Sequence, residues 1–263
     1  MTDPAVARRF SIGASRYEAH AHAQRLSAAD LLAFTRDALE GRRVESILEP
    51  GCGTGLYTRM LLEAFPGASI EGVDISAEMV RLARERIADP RARFATGDAE
   101  EIVSGTYDLV TSNATFQWFR TFGRTVRRMA SLLSEGGRLT FSYFGPGTFA
   151  ELDEAMRAER EGSRADRTAA AGFLSREEIE AAMSGAFARW SVEERSYRQD
   201  FPDLMGLLKS IRYTGVGGSG SQGGWSPGRL GRVERAYRER FGAIRATYQV
   251  FLCGGSERKE EAP

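Results

Sequence analysis

Residues 47–65, ILEPGCGTGLYTRMLLEAF, put an apolar run, a glycine-rich turn and a helical pattern in immediate succession. Ile47 to Pro50 reads as a short buried strand, the residues after Leu56 as a helix, and Gly51, Gly53 and Gly55 as the turn between them. A turn without Cβ atoms brings backbone close to a ligand, and the helix start beyond it offers unpaired N–H groups. The next apolar run, SIEGVDIS at 69–76, carries Asp74 near its end, where it can accept hydrogen bonds from a sugar. Strand, glycine turn, helix, strand and acid in this order commit a chain to a parallel α/β sheet with a small molecule at its strand ends.

The rhythm continues. ARFATGDA (92–99), YDLVTSN (107–113) and GGRLTFSYF, ending at Phe144, read as further strands, and ATYQVFLCG (246–254) returns to the sheet. Between them lie helical patterns; the clearest runs from Ala77 to Ile87 behind Ser76 as cap, with Met79, Val80 and Ala83 on one face. Such alternation predicts helices on both faces of the sheet. Residues 1–254 are expected to form one domain. Within it, 1–40 form an N-terminal helical cover, and 145–210 a mostly helical lid with a capping box at Ser175 and Glu178. The segment 214–228 holds seven glycines and is expected to be a mobile loop, and 255–263 a disordered tail.

Composition excludes several classes. Basic and acidic residues balance at 36 each, so net charge points neither to nucleic acid nor to an acidic surface. Two cysteines, Cys52 and Cys253, make no disulfide framework, and two histidines, His20 and His22, offer no metal-ligand pattern. No apolar stretch reaches the roughly 18–20 residues a membrane span needs, and MTDPAVARRF lacks a secretory apolar core. A cytoplasmic enzyme that uses no metal is the expectation.

Glu49-Pro50-Gly51-Cys52-Gly53-Thr54-Gly55 resembles motif I of the class I S-adenosylmethionine-dependent methyltransferases. A nicotinamide-binding fingerprint would carry glycine at position 56, where Leu56 stands. The likeness extends through Asp74, GDAE (97–100) and YDLVTSNATFQWF (107–119). It implies a Rossmann-like, doubly wound, mostly parallel seven-stranded sheet with an antiparallel C-terminal strand. It also implies that the loop of Glu49, Gly51, Cys52, Gly53 and Gly55 contacts the methionine portion of the cofactor. Asp74 would meet the ribose hydroxyls, Ile75 and Met79 would flank ribose and adenine, Asp98 and Ala99 would hold the adenine, and Asn113 would lie near the methionine end. Pro50 departs from the motif and removes one N–H. FSIGASRYEAHAHAQ (10–24), SNATFQWF (112–119), FSYFGPGTFAEL (141–152) and LLKSIRYTGVGG (207–218) are similar to the malonyl-carrier-protein O-methyltransferases of biotin synthesis. That family more often carries threonine where Tyr143 stands. The narrower resemblance implies an acyl carrier protein bearing malonyl, or malonyl-coenzyme A, as partner.

The chemistry implied needs no general base, because a free carboxylate is ionised at neutral pH. Tyr17, Gln117 and Trp118 are the candidate catalytic residues: Tyr17 to close over the methionine carboxylate, Gln117 and Trp118 to line the acyl pocket. Each has a plain alternative, as an amphipathic-helix tyrosine or as core filling. Phe116 reads as packing, Cys52 as a small side chain in a tight turn, and the two histidines as solvated surface. Lys209, Arg212 and Tyr213 are candidates for the malonyl carboxylate. Two basic clusters, Arg120/Arg124/Arg127/Arg128 and Arg229/Arg232/Arg235/Arg238/Arg240/Arg245, suit an acidic carrier or are simply solvated helix faces. A small-molecule methyltransferase, a non-catalytic S-adenosylmethionine-binding protein and a dehydrogenase remain as alternatives.

Overall fold

The structure, a computed structural model, describes residues 4–159, 167–215 and 225–259. Three helices come first: α1 (Pro4–Gly13), the short α2 (Tyr17–His20) and α3 (His22–Leu39). The alternating part follows as β1 (Ser46–Pro50), α4 (Leu56–Ala64), β2 (Ser69–Asp74), α5 (Ala77–Arg86), β3 (Ala92–Thr96), β4 (Tyr107–Ser112), α6 (Phe122–Ser131) and β5 (Leu133–Phe144). The last third is α7 (Ala150–Glu159), α8 (Arg176–Ala186), β6 (Phe187–Phe201), α9 (Leu204–Thr214), α10 (Pro227–Phe241) and β7 (Ile244–Arg258).

The seven strands form one sheet in the order β3-β2-β1-β4-β5-β7-β6. The first five are parallel, and β7 runs antiparallel between β5 and β6. Adjacent strand residues point to opposite faces. Ile47 and Leu109 therefore join one core with Leu31 of α3, Leu61 of α4 and Val80 of α5, while Leu48 and Val110 join another with Val126 of α6 and Ile179 of α8. Strand order reverses between β1 and β4, which opens a crevice at their carboxyl ends. Ser76 caps α5 by accepting the Met79 N–H at 3.3 Å, and Ser175 with Glu178 forms the expected capping box on α8.

Two segments differ from expectation. The stretch 145–210 is not mostly helical, because it holds the 15-residue strand β6, FARWSVEERSYRQDF. As the edge strand it faces solvent with many of its side chains, so its arginines and glutamates hide the strand pattern. The tail is ordered further than expected, since β7 runs to Arg258, which pairs with Phe187. Of the glycine-rich loop, residues 216–224 lie outside the described residues, as do 260–263 of the tail. Among the described residues, no helix is long and apolar enough to cross a membrane.

The N-terminal helices lie over the crevice through specific polar links. Ser11 Oγ is 2.8 Å from Ser76 Oγ, and Glu18 accepts from Thr54 Oγ1 of the glycine loop at 2.8 Å and from Arg86 of α5 at 2.6 Å. α1 and α2 also pack on α9: Arg16 donates to the Tyr213 hydroxyl at 2.7 Å, and the His20 ring sits 4.9 Å from the Tyr213 ring. His20 is thus a packed residue rather than solvated surface, while His22 is exposed.

Candidate functional site

The glycine loop is shaped by its neighbours. Gly51 has φ +71°, and a Cβ there would lie 2.1 Å from Thr115 Oγ1, so the close approach of Thr115 demands glycine. Gly53 has φ +54° and nothing within 4 Å of where its Cβ would be, so its bare backbone faces open space. Gly55 instead caps α4. The loop is pinned to β2: Val73 O accepts the Gly51 and Cys52 N–H groups at 2.6 and 3.2 Å. Asp74 accepts the Gly53 N–H on Oδ2 at 2.9 Å and the Ser76 N–H on Oδ1 at 2.8 Å.

Around this loop is a cleft whose lining combines apolar side chains with a few polar groups, as small-molecule sites do. Gly51, Gly53, Asp74, Ile75, Met79, Asp98, Ala99 and Asn113 all line it, as do Tyr17 and Trp118. A smaller cavity adjoins it along the same loop. That cavity takes Glu49 and Cys52 and shares Tyr17, Gly51, Gly53 and Asn113 with the first. Glu49 thus lines one of the two adjoining cavities, Asp74, Asp98 and Ala99 line the other, and Tyr17, Gly51, Gly53 and Asn113 are common to both.

Several residues do more, or other, than expected. Asn113 Oδ1 accepts from the Ser27 and Ser142 hydroxyls, both at 2.8 Å, and Nδ2 donates to Gln24 O at 3.1 Å, so it ties α3 to the ends of β4 and β5. Gln117 does not line either cavity. Its Nε2 donates to Ala114 O at 2.7 Å, and its Oε1 is buried without a hydrogen-bond partner. Trp118 sits edge-on to Phe10 at 5.9 Å and to Phe173 at 5.6 Å, which joins α1 to the chain ahead of α8. Phe116 is fully buried and stacks on Phe141 at 4.1 Å, as pure packing. Lys209 and Arg212 are exposed on α9, Tyr213 is engaged by Arg16, and none of the three lines the cleft. Sequence reasoning missed Val6, Thr115 and Phe119 as lining residues and Glu18 as the link between cover and loop. Val6 had a signal, lying one helical turn before Phe10; the others had none.

Electrostatics set what these groups can do. Burial lifts the Asp74 carboxyl to about 6, with the Ser76 and Gly53 N–H groups pulling it back. Burial lifts Glu49 to about 8, opposed by the Thr58 hydroxyl at 2.5 Å and reinforced by Asp74. Burial first, then the charges of Asp74 and Glu18, pushes the Tyr17 phenol far above its usual range, so it keeps its proton and remains available as a donor. The Cys52 thiol is raised mainly by burial and is no nucleophile. Among the described residues no cluster could hold a metal ion.

The geometry has counterparts. Residues 47–137 match a methyltransferase domain family. The chain is 32% identical over 264 residues to the malonyl-[acyl-carrier protein] O-methyltransferase of Halalkalibacterium halodurans, covering 94% of this chain and 97% of that one. It is 34% identical to the enzyme of that name from Geobacter sulfurreducens, with 92% and 94% covered. The chain belongs to the malonyl-[acyl-carrier protein] O-methyltransferase family. Solved structures agree on the fold: the YcgJ protein of Bacillus matches with a TM-score of 0.60 at 17% identity, covering 88% of this chain and all of that one. A Haemonchus contortus phosphoethanolamine N-methyltransferase bound to S-adenosylhomocysteine matches with a TM-score of 0.54 at 18% identity, over 87% of this chain and 53% of that one.

Membership in the malonyl-[acyl-carrier protein] O-methyltransferase family makes the chain an enzyme that uses S-adenosylmethionine, and it removes the dehydrogenase alternative. The bare Cα at Gly53, the acceptor at Asp74 and the elongated pair of cavities fit that cofactor. A pH dependence follows. The charged form of Asp74 is the better acceptor for a ligand hydroxyl, and protonation weakens it. Affinity for S-adenosylhomocysteine is expected to fall about tenfold per pH unit below about 6. Because the folded pKa is raised, the same group makes the unliganded protein less stable as pH rises between about 4 and about 6. Calorimetric titration from about pH 5 to about pH 8 checks the first effect, and the acid-side slope should vanish in Asp74→Asn.

Proposed function

We propose that this protein transfers the methyl group of S-adenosylmethionine to the free carboxylate of malonyl-[acyl-carrier protein], giving the methyl ester that begins pimeloyl and biotin synthesis. The observation that carries the reading is agreement with enzymes of that name at 31–34% identity over most of the chain. The cleft chemistry supports it. Bound there, S-adenosylmethionine supplies a sulfonium-activated methyl group, whose transfer to a carboxylate oxygen leaves a neutral thioether and a neutral ester.

Glu49 and the loop hold the amino-acid end, Asp74 the ribose, and Asp98 with Ala99 the adenine. Two opposite charges disappear in the reaction, so a dry, apolar cleft favours it over water. Phe10, Trp118 and Phe119 provide that lining, and α1 with α2 lies across the cleft through Ser11 and Glu18. Tyr17 contributes a hydroxyl donor and no base, which suits a nucleophile that needs no deprotonation. Holding oxygen, methyl and sulfur in line is the main task, and proximity of this kind contributes up to roughly 7–11 kcal/mol. The partner is the acidic carrier protein of fatty-acid synthesis, and the setting is the cytoplasm, where Cys52 and Cys253 persist as free thiols.

Incubation with labelled S-adenosylmethionine and malonyl-carrier protein tests the assignment. The carrier should gain one methyl group and lose it again on mild ester hydrolysis. Transfer to free small acids with none to the carrier would replace this reading with a small-molecule methyltransferase.

A further inference from the structure

We propose that the outer surface of the N-terminal cover and α9, carrying Arg8, Ile12, Arg16, Met205, Lys209 and Arg212, is where the acidic face of the malonyl-bearing carrier protein docks. The proposal rests on the function proposed above.

Two exposed stripes of similar make-up meet here. On α1 Ile12 is 61% exposed, with Arg8 one turn before it and Arg16 four residues after it. On α9 Met205 is 40% exposed, and Lys209 and Arg212 follow it at i+4 and i+7, along one side of the helix. Arg16 joins the two stripes. Its guanidinium donates to the Tyr213 hydroxyl at 2.7 Å and lies 5.3 Å from the centre of that ring, and Tyr213 stands one turn after Lys209. A neutral phenol orients the cation without cancelling its charge. Arg8, Arg16, Lys209 and Arg212 make no ion pair among the described residues. Of the carboxylates nearby, Glu18 pairs with Arg86 at 2.6 Å, and Asp203 accepts the Gly206 N–H at the far end of α9. The surface therefore offers four cations to an acidic partner and two apolar side chains to bury against it.

This surface lies directly over the cleft. α1 and α2 present Val6, Phe10 and Tyr17 to the cleft, while Arg8, Ile12 and Arg16 on the same segment are exposed. α9 abuts that segment: a Cβ on Gly215, just past α9, would lie 2.6 Å from the Phe10 ring, and one on Gly13 would lie 2.8 Å from Tyr213 O. Phe10 thus touches the end of α9 and lines the cleft with one side chain. Docking surface and cleft are separated by a single layer of helix, about 10–12 Å across, a depth that a flexible pantetheine arm covers. Net charge is zero, so any field that steers an acidic partner must come from a local patch of this kind.

The test compares two variants of this surface, Lys209→Glu/Arg212→Glu and Ile12→Ser, with Arg258→Glu/Lys259→Glu, which makes the same change of charge at the opposite end of the sheet. Three quantities are read: anisotropy of labelled malonyl-carrier protein on titration with enzyme, methylation of that carrier, and methylation of malonyl-N-acetylcysteamine. S-adenosylhomocysteine binding serves as the folding control. The α9 variant should lose about tenfold or more in carrier affinity and in kcat/KM for the carrier, with a flattened salt dependence. Ile12→Ser should lose about threefold or more in carrier affinity with its salt dependence kept. The thioester mimic should stay within about twofold in both, and the pair at the opposite end should alter neither substrate by more than that. Unchanged carrier affinity in either surface variant, equal loss on both substrates, equal loss in the opposite-end pair, or no carrier binding by the unaltered enzyme overturns the proposal. If the unaltered enzyme binds the carrier but methylates neither substrate, the functional reading fails, and the anisotropy comparison alone decides the surface.

Discussion

Replacing Asp74 with alanine is expected to weaken S-adenosylhomocysteine binding by a factor on the order of a hundred or more. Each hydrogen bond to a charged group contributes roughly 1.5–3 kcal/mol, and a ribose diol offers two; every 1.4 kcal/mol is about tenfold. The carboxylate has the capacity, since each oxygen accepts one backbone N–H, from Gly53 or Ser76, and keeps a second lone pair. Calorimetry near neutral pH measures the loss directly. Asp74→Asn separates shape from charge: it keeps the volume but exchanges one acceptor for a donor, so it should also bind weakly. Wild-type affinity in either variant would remove Asp74 from the cofactor site.

Gly51→Ala is expected to be the most destabilising single methyl in the loop. Its Cβ would lie 2.1 Å from Thr115 Oγ1 and 2.7 Å from Thr115 Cβ, and the residue would have to hold φ +71°. Overpacking of this kind costs about 1–3 kcal/mol and left-handed backbone about 1–2 kcal/mol more. A cost of about 3 kcal/mol lowers Tm by roughly 6–12 °C in a chain of this size. Gly53→Ala is the contrast. Nothing lies within 4 Å of its Cβ, so only the backbone term remains, and Tm should fall less than in Gly51→Ala, by about 2–8 °C, while cofactor binding suffers. Adding Thr115→Gly should return part of the stability of Gly51→Ala and none of the binding of Gly53→Ala. Equal Tm for the two single variants would refute this division of labour.

The sequence revealed what is buried and local. Strands β1, β4 and β5 showed themselves because parallel strands covered on both faces carry nearly continuous apolar runs, as in SILEP and LTFSYF, whereas β2 and the edge strand β3 were marked by their place in the alternation. The turn glycines and Asp74 showed themselves because ligand-binding backbone needs particular residues in a particular order. What stayed hidden depends on contacts between distant segments. Strand β6 reads as charged because it is an edge. Thr115 dictates Gly51 across 64 residues of chain, and nothing in TSNATF announces it. Gln117 reads as a pocket residue but turns back onto Ala114 O. The arginines from Arg229 to Arg245 read as a solvated helix face, and only the positions of Glu159, Glu154 and Asp200 show which of them are paired with distant carboxylates.

The bond from the Gly53 amide to Asp74 has one more consequence. The carboxylate at the end of β2 already fastens the bare peptide of the loop that follows β1, so the two candidate recognition elements proposed for the sugar and the methionine end are locked to a common reference before any nucleotide arrives. Little ordering entropy is left for the incoming molecule to lose at this point, and whatever rearrangement accompanies turnover falls instead to the N-terminal helices, whose grip on the rim consists of a few exchangeable hydroxyl and carboxylate contacts.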